Sequence, residues 1–564
     1  MGLSQPMGEV MRIVRLCILL VIGTLLTACD RPTPDTAVAS AHPVATEAGL
    51  GILDAGGNVF DAAVAVSATL AVVEPYSSGL GGGGFWLLHE ADTGRNVMID
   101  GREKAPLLAH RDMYLDKQGE VIDGLSVNGP LAAGIPGEPA ALAHLAKEYG
   151  RLSLSESLAP AIRVARDGFA VTPHYQRMAR FRLEVLRRSP AAAKVFLLDN
   201  DVPPLEHLIR QPDLAATLEQ LAREGADGFY RGRLAARLVG ETRAAGGIWT
   251  REDLSSYQVV EREPITGTYG NYRIISAAPP SSGGVALVTM LNILEDYELA
   301  QRPAVDRKHL IIEAMRRAYR DRAEYLGDPD FIEMNIERLT SKAHAARLRQ
   351  SIELEQASDS SMLPPVTDSD EGRDTTHFSI LDSEGNRVAA TLSINYPFGS
   401  GFMPPGTGVL LNDEMDDFSA KPGVPNVYGL VGAEANAIEP GKRMLSSMSP
   451  TFVEHDDRLA VLGTPGGSRI ITMVLHGILG FVEGHDAQTI VSLPRYHHQY
   501  LPDQVQYEPR ALTSEQQREL AGRGHVLTEL HNRYGNMQLV IRDRLNNQIE
   551  AASDPRGEGL AITR

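Results

Sequence analysis

The chain has 564 residues, of which 43% are hydrophobic and 22% charged, the composition of a soluble globular protein with ample length for a large core. Its 54 Lys and Arg stand against 72 Asp and Glu, a net charge of −18. That balance, with no basic block anywhere, excludes a broad nucleic-acid footprint.

Arg12 and Arg15 precede an apolar run over 16–26, and Thr27-Ala28-Cys29 follows. This reads as an export signal over residues 1–28, too short and too near the end for a membrane span. Residues 30–42 read as a Pro-containing tether. The pattern predicts helices over 44–53 and 61–73, broken at Gly56-Gly57-Asn58, with Asp61 as N-cap. A glycine-rich turn over 78–84 leads into a strand over 85–89. It lacks the Gly-Lys-Ser/Thr of a phosphate cradle and precedes a strand, so it is not read as one. Helices follow over 138–149, 155–167 and 307–325, the last with Leu310, Ile311, Ala314, Ala318 and Tyr319 on one stripe.

Residues 356–372 are polar and Pro-broken. Strands over 376–381 and 387–393 then form a hairpin about the turn 382–386, and a second hairpin spans 450–463. Helices are expected over 470–479 and 514–523. Helices followed by hairpins whose faces need cover on both sides imply an α+β fold of layered sheets. His497-His498 is the densest histidine cluster. Neighbours on a strand point to opposite faces, so the pair reads as structural, and neither metal nor cofactor is expected.

The chemistry centres on Thr375, in Arg373-Asp374-Thr375-Thr376-His377-Phe378-Ser379. A threonine hydroxyl needs a base. Cleavage before Thr375 would free an α-amino group on the same residue, able to take the hydroxyl proton near neutral pH. The ordinary reading of a Thr-Thr pair opening a strand is β-propensity. Gly466-Gly467 lies between a strand and a helix N-terminus, where backbone N–H groups can converge on an oxyanion or simply make a tight turn. Arg102 can clamp a carboxylate or sit in a surface loop, and Asp416-Asp417 can bind an ammonium or be solvated.

The run Thr375-Thr-His-Phe-Ser, Asn395, Phe398-Gly-Ser-Gly401, Gly408-Val-Leu-Leu-Asn412, Met415-Asp-Asp-Phe-Ser419, Leu445-Ser-Ser-Met-Ser-Pro450 and Gly463-Thr-Pro-Gly-Gly-Ser-Arg469 resembles the γ-glutamyltransferases (glutathione hydrolases). Ala55-Gly-Gly-Asn58, Leu80-Gly-Gly-Gly-Gly-Phe85, Gly101-Arg102-Glu103 and Pro279-Pro-Ser-Ser-Gly-Gly284 extend the resemblance over 36–564. It implies the four-layer αββα sandwich of N-terminal-nucleophile hydrolases. A precursor cut between Asp374 and Thr375 would give a large piece, 29–374, and a small catalytic piece, 375–564, held together as one interleaved heterodimer. Thr375 would be the nucleophile and Gly466 and Gly467 the oxyanion hole. Ser393, Asn395, Arg102, Glu414, Asp417, Ser446 and Ser447 fall on substrate-binding positions. Ser393 stands where members of the family carry a second threonine, and Tyr428 falls in a segment expected to close as a lid. The implied substrates are glutathione and related γ-glutamyl compounds, with water, amino acids or peptides as acceptors.

Leu26-Thr-Ala-Cys29 resembles a bacterial lipobox, with Cys29 lipidated and the protein in the periplasm. Asp30 resembles the pattern of inner-membrane retention. The mature chain would then lack a structural disulfide, since Cys17 and Cys29 are its two cysteines. A related cephalosporin or glutaryl acylase is an alternative, as is an unprocessed lipoprotein that only binds γ-glutamyl compounds. A branch whose substrates lack the α-ammonium has less need of Asp417.

Overall fold

The computed structural model describes residues 36–360 and 375–564. The signal segment, Cys29 and Asp374 lie outside the described residues. Two antiparallel sheets form the centre. The seven-stranded sheet runs Leu560–Thr563, Ala37–Ser40, Thr376–Leu381, Arg387–Ser393, Gly83–Glu90, Arg95–Gly101, Val260–Arg262. The six-stranded sheet runs Gln548–Ser553, Gln538–Asp543, Arg458–Gly463, Thr451–Glu454, Tyr272–Ser276, Ile265–Tyr269. Both sheets combine strands from before and after Thr375: Ala37–Ser40 lies between Leu560–Thr563 and Thr376–Leu381 in the larger, and Tyr272–Ser276 pairs with Thr451–Glu454 in the smaller, so the two parts of the chain share one hydrogen-bonded core.

Side-chain alternation decides which layer each strand residue meets. Trp86, Leu88, Ile380 and Val388 pack on one face with the helices Pro43–Asp54, Val59–Val73 and Leu154–Asp167. Trp86 also donates through Nε1 to Ser67 Oγ at 3.0 Å. Phe85, Leu87, Leu381 and Ala389 pack on the other, with Phe452, Val461 and Leu539 of the second sheet. The helices Gly283–Leu294, Ala304–Tyr325 and Ile470–Val482 join that second core. Helix, sheet, sheet, helix is the layering expected for the αββα sandwich. The sheets press together close to Thr375: the His377 ring occupies the space a Cβ on Gly463 would fill, 2.3 Å away. His377 itself is held by Thr391 Oγ1 at 2.8 Å, and burial lowers its pKa to about 3.

Two expectations need correction. Residues 37–40, read as part of a tether, form a buried strand of the larger sheet, paired with 378–381 on one side and 560–563 on the other. Asp61 is not the N-cap: Asn58 caps the helix Val59–Val73, and Asp61 sits at its third position as the reciprocal half of a capping box. Asp61 also accepts from the Arg151 N–H at 2.9 Å, which ties this helix to the next segment. His497 and His498 are buried, held by Thr472 and Asp503, and burial lowers both pKa values. Among the described residues, no helix is long and apolar enough to cross a membrane.

Candidate active site

Thr375 immediately precedes the central strand Thr376–Leu381 and is almost fully buried. In the neighbouring strand Leu392 pairs with Thr376, and one step further the same register sets Ser393 opposite Thr375. Ser393 Oγ accepts the Asn395 N–H at 2.8 Å. Asn395 has a left-handed backbone, φ +72°. Its Nδ2 donates to the Asp413 carbonyl at 3.0 Å, which fixes the turn that follows the strand.

A small cavity at Thr375 is lined by Arg102, Ser393, Asn395, Glu414, Asp417, Tyr428, Ser446, Ser447 and Gly467. These eight side chains and one glycine come from six separate segments, and all nine are singled out in the sequence; Gly466, singled out with them, is not among the lining residues. A second cavity of about 530 Å³ opens on the other flank of Thr375, lined by Glu74, Tyr76, His174, Tyr534, Arg556 and Glu558 among others. Thr375 is the boundary between the two.

Arg102 follows the strand Arg95–Gly101 and is 1% exposed. It pairs with Glu414, with Asp417 (Nη2 to Oδ2, 2.5 Å) and, at 3.4 Å, with Glu103. Burial works against its charge, but Glu414 and Asp417 outweigh burial and hold its pKa above the ordinary arginine value. The same burial, with Arg102 opposing and Asp417 reinforcing, raises Glu414 to about 7. Glu103 is also raised, by burial and by Glu414. One guanidinium therefore faces three acids in a buried site, where burial disfavours charge on the acids and Arg102 favours it. Glu103 was quoted in the sequence motif without a role, and only the fold shows it touching Arg102.

Glu414–Asp417 form a single 3-10 turn. Asp417 Oδ1 accepts from Asn426 Nδ2 at 3.1 Å, and its backbone carbonyl accepts from Asn436 Nδ2 at 2.7 Å. Both asparagines belong to the segment read as a lid. Tyr428 is 7% exposed, and its hydroxyl donates to the Asn395 carbonyl at 2.6 Å. Its ring rests on Gly467, so a Cβ there would meet ring atom Cδ1 at 2.5 Å.

The strand Arg458–Gly463 of the second sheet ends at Thr464-Pro465, and Gly466 and Gly467 follow with φ +140° and +53°. Gly467–Arg469 is a 3-10 turn that feeds the helix Ile470–Val482. Among the described residues neither the Gly466 nor the Gly467 N–H donates a hydrogen bond. Two such donors at a helix N-terminus can hold a developing oxyanion.

Ser446 and Ser447 also line the cavity. Ser446 is tied to Ser282, whose N–H and Oγ–H both donate to the Ser446 carbonyl at 2.8 and 2.7 Å. Among the described residues, no grouped set of metal-ligand side chains is found at this cavity. The one His/Glu cluster with ligand-like spacing among the described residues, His309, Glu313 and His525, lies elsewhere. Its Glu313 is already held by Arg316 and Arg317, surroundings hostile to a cation.

A profile of the family described as Gamma-glutamyltranspeptidase matches residues 45–563. The chain is 43% identical over 542 residues to a "Glutathione hydrolase proenzyme" of Pseudomonas sp. (strain A14), covering 93% of each chain. It is 41% identical over 525 residues to the protein of that name from Escherichia coli (strain K12), covering 92% of this chain and 90% of that one. The solved structure of a cephalosporin acylase from Bacillus halodurans superposes with a TM-score of 0.83 at 29% identity, covering 94% of this chain and 96% of the other. A buried threonine at the head of a shared strand, a built-in arginine–carboxylate cavity beside it and similarity over nearly the whole length agree: the chain belongs to the γ-glutamyltranspeptidase family.

Proposed function

We propose that this protein is a γ-glutamyltransferase and glutathione hydrolase that cuts itself between Asp374 and Thr375 and uses the freed threonine as nucleophile. The observation that carries this reading is the placing of Thr375 between a cavity built around Arg102 and Asp417 and a second, larger cavity.

In self-cleavage the Thr375 hydroxyl attacks the Asp374 carbonyl, the peptide becomes an ester, and water opens it. The α-amino group of Thr375 then takes the proton from its own hydroxyl. The alkoxide adds to the γ-carbonyl of the substrate, and the Gly466 and Gly467 N–H groups stabilise the oxyanion. The leaving amine departs with the proton, and a γ-glutamyl ester remains on Thr375. Water hydrolyses it, or an amino acid or peptide amine takes the group. Strands from 36–360 and 375–564 interleave, so the two pieces stay together after cleavage as a heterodimer.

Specificity follows from the ion pair. A γ-glutamyl group carries an α-carboxylate and an α-ammonium. The carboxylate can replace the acids on Arg102, and the ammonium can replace Arg102 on Asp417 and Glu414, with Asn395 beside them. A substrate lacking one charge leaves a buried charge unmatched. The acylase neighbour motivates the competing reading, in which glutaryl amides are hydrolysed. Comparing release from γ-glutamyl and glutaryl anilides tests the two: strong preference for the first supports the proposal, and comparable rates would favour the acylase.

We also propose that Cys29 is the lipidated N-terminus of a periplasmic, inner-membrane-anchored protein, on the strength of Leu26-Thr-Ala-Cys29. Incorporation of labelled fatty acid that is lost in Cys29→Ser tests this, and unlabelled wild-type protein would refute it.

A further inference from the structure

The helix Ala304–Tyr325 carries several arginines with acid partners: Arg307 with Glu483, Arg316 with Glu313 and Asp503, Arg317 with Glu313, Arg320 with Glu324. Arg322 differs. It is 4% exposed, and among the described residues no carboxylate lies within ion-pair distance of it. Its guanidinium donates to two hydroxyls instead, Nε to Ser282 Oγ at 3.0 Å and Nη2 to Ser447 Oγ at 3.3 Å. Burial lowers its pKa; Tyr319 and Asp417 oppose that shift, and Arg102 adds to it. A buried guanidinium without a matched anion is costly, and the cost is relieved when an anion arrives.

The hydroxyl directions say where that anion would sit. Ser282 Oγ spends its hydrogen on the Ser446 carbonyl, so it meets Arg322 with a lone pair. Ser447 Oγ accepts from Arg322, and Ser446 Oγ accepts from the Met448 N–H at 3.1 Å. Each hydroxyl has a single hydrogen to give, and among the described residues neither gives it. Ser446, Ser447 and Arg102 line the same cavity. Two O–H donors and the Arg102 guanidinium therefore line one cavity, with a second guanidinium bonded to Ser447.

We propose that Arg322 is a positioning and specificity-determining residue for the α-carboxylate of the substrate: it fixes Ser447 as a donor and supplies a second positive charge behind that carboxylate. This rests on the γ-glutamyl reading above. It assigns recognition of one end of the substrate to a residue that does not line the cavity. The corresponding 4-aminobutyryl amide, the same chain without its α-carboxylate, leaves Arg322 as it was.

The test uses full-length protein with Arg322→Gln and Arg322→Lys, each checked for two fragments on a denaturing gel. kcat and KM are measured on γ-glutamyl and 4-aminobutyryl anilides, and inhibition constants on L-glutamate and 4-aminobutyrate. In Arg322→Gln, kcat/KM on the γ-glutamyl anilide should fall roughly 10- to 100-fold, mainly through KM, and the inhibition constant of L-glutamate should rise by a similar factor. Values for the two 4-aminobutyryl compounds should stay put, and Arg322→Lys should recover part of the loss. Equal loss on both substrates, no loss on either, or failure of both variants to cleave would overturn the assignment. A wild type that does not discriminate between the two compounds would instead overturn the γ-glutamyl reading itself, so the two failures are separable.

Discussion

Arg102 and Asp417 meet directly across the cavity, Nη2 to Oδ2 at 2.5 Å, with Arg102 fully buried. A buried pair of this kind is weak evidence for stability and strong evidence for a demand, because removing either partner strands the other. On the proposed reading, a zwitterionic α-amino acid group would separate the pair and satisfy both halves at once.

Replacing Asp417 by Asn should therefore damage recognition of the ammonium end. On a γ-glutamyl anilide kcat/KM should drop roughly 10- to 100-fold, with most of the loss in KM. A glutaryl anilide, which lacks the ammonium, should be affected far less. Steady-state kinetics on the two substrates check this.

Gly467→Ala should impair turnover through geometry. Its Cβ would run into the Tyr428 ring, and φ of +53° disfavours any side chain. The Gly467 turn and the Tyr428 ring cannot both keep their places. We expect kcat to fall about 10-fold or more, the scale of disturbing an oxyanion donor, with a smaller change in KM. An unchanged kcat would remove Gly467 from the oxyanion role.

Tyr428→Phe removes the hydrogen bond to the Asn395 carbonyl and leaves the ring on Gly467. Tyr428→Ala removes both. Phe should cost a few-fold in KM at most, about the worth of one neutral hydrogen bond, and Ala clearly more, with cleavage at Thr375 intact in both. Equal, negligible effects would mean that the segment is not a lid over this cavity.

Glu74 gives a pH prediction. Burial, with Glu558 adding, raises its pKa from 4.5 to about 7, while the Thr376 and Tyr76 hydroxyls oppose the shift. A carboxyl whose folded pKa lies above its unfolded value contributes stability that is complete below the unfolded pKa and is lost as pH rises through the folded one. The contribution should thus be present below about pH 4.5 and gone above about pH 7. Glu74→Gln cannot ionise, so its advantage over wild type should grow across that window. Thermal or urea unfolding of both proteins from pH 5 to pH 8 measures it, and parallel profiles would refute it.

Much of the site was legible because it is written in contiguous motifs. Thr375 heads a β-patterned run, and Gly466-Gly467 sits at a strand-to-helix turn whose chemistry depends on neighbours in sequence. The strand Ala37–Ser40 was not legible: four residues after a Pro-containing stretch carry little periodicity, and their partners lie hundreds of positions away. The Asn58 cap was missed because Asn58 was read as part of a glycine break, although Asn58 and Asp61 have capping-box spacing. Arg322 was beyond sequence reading. On a helical pattern it looks like a solvated charge, and only the layer packed above it, with Ser282 and Ser447, shows that it is buried.

The most direct measurement is a denaturing gel of the purified protein beside Thr375→Ala, with N-terminal sequencing of the smaller fragment. The account predicts two fragments in the wild type, the smaller beginning Thr-Thr-His-Phe-Ser, and a single intact chain in the variant. An intact chain in both, or cleavage that persists without the Thr375 hydroxyl, would contradict it.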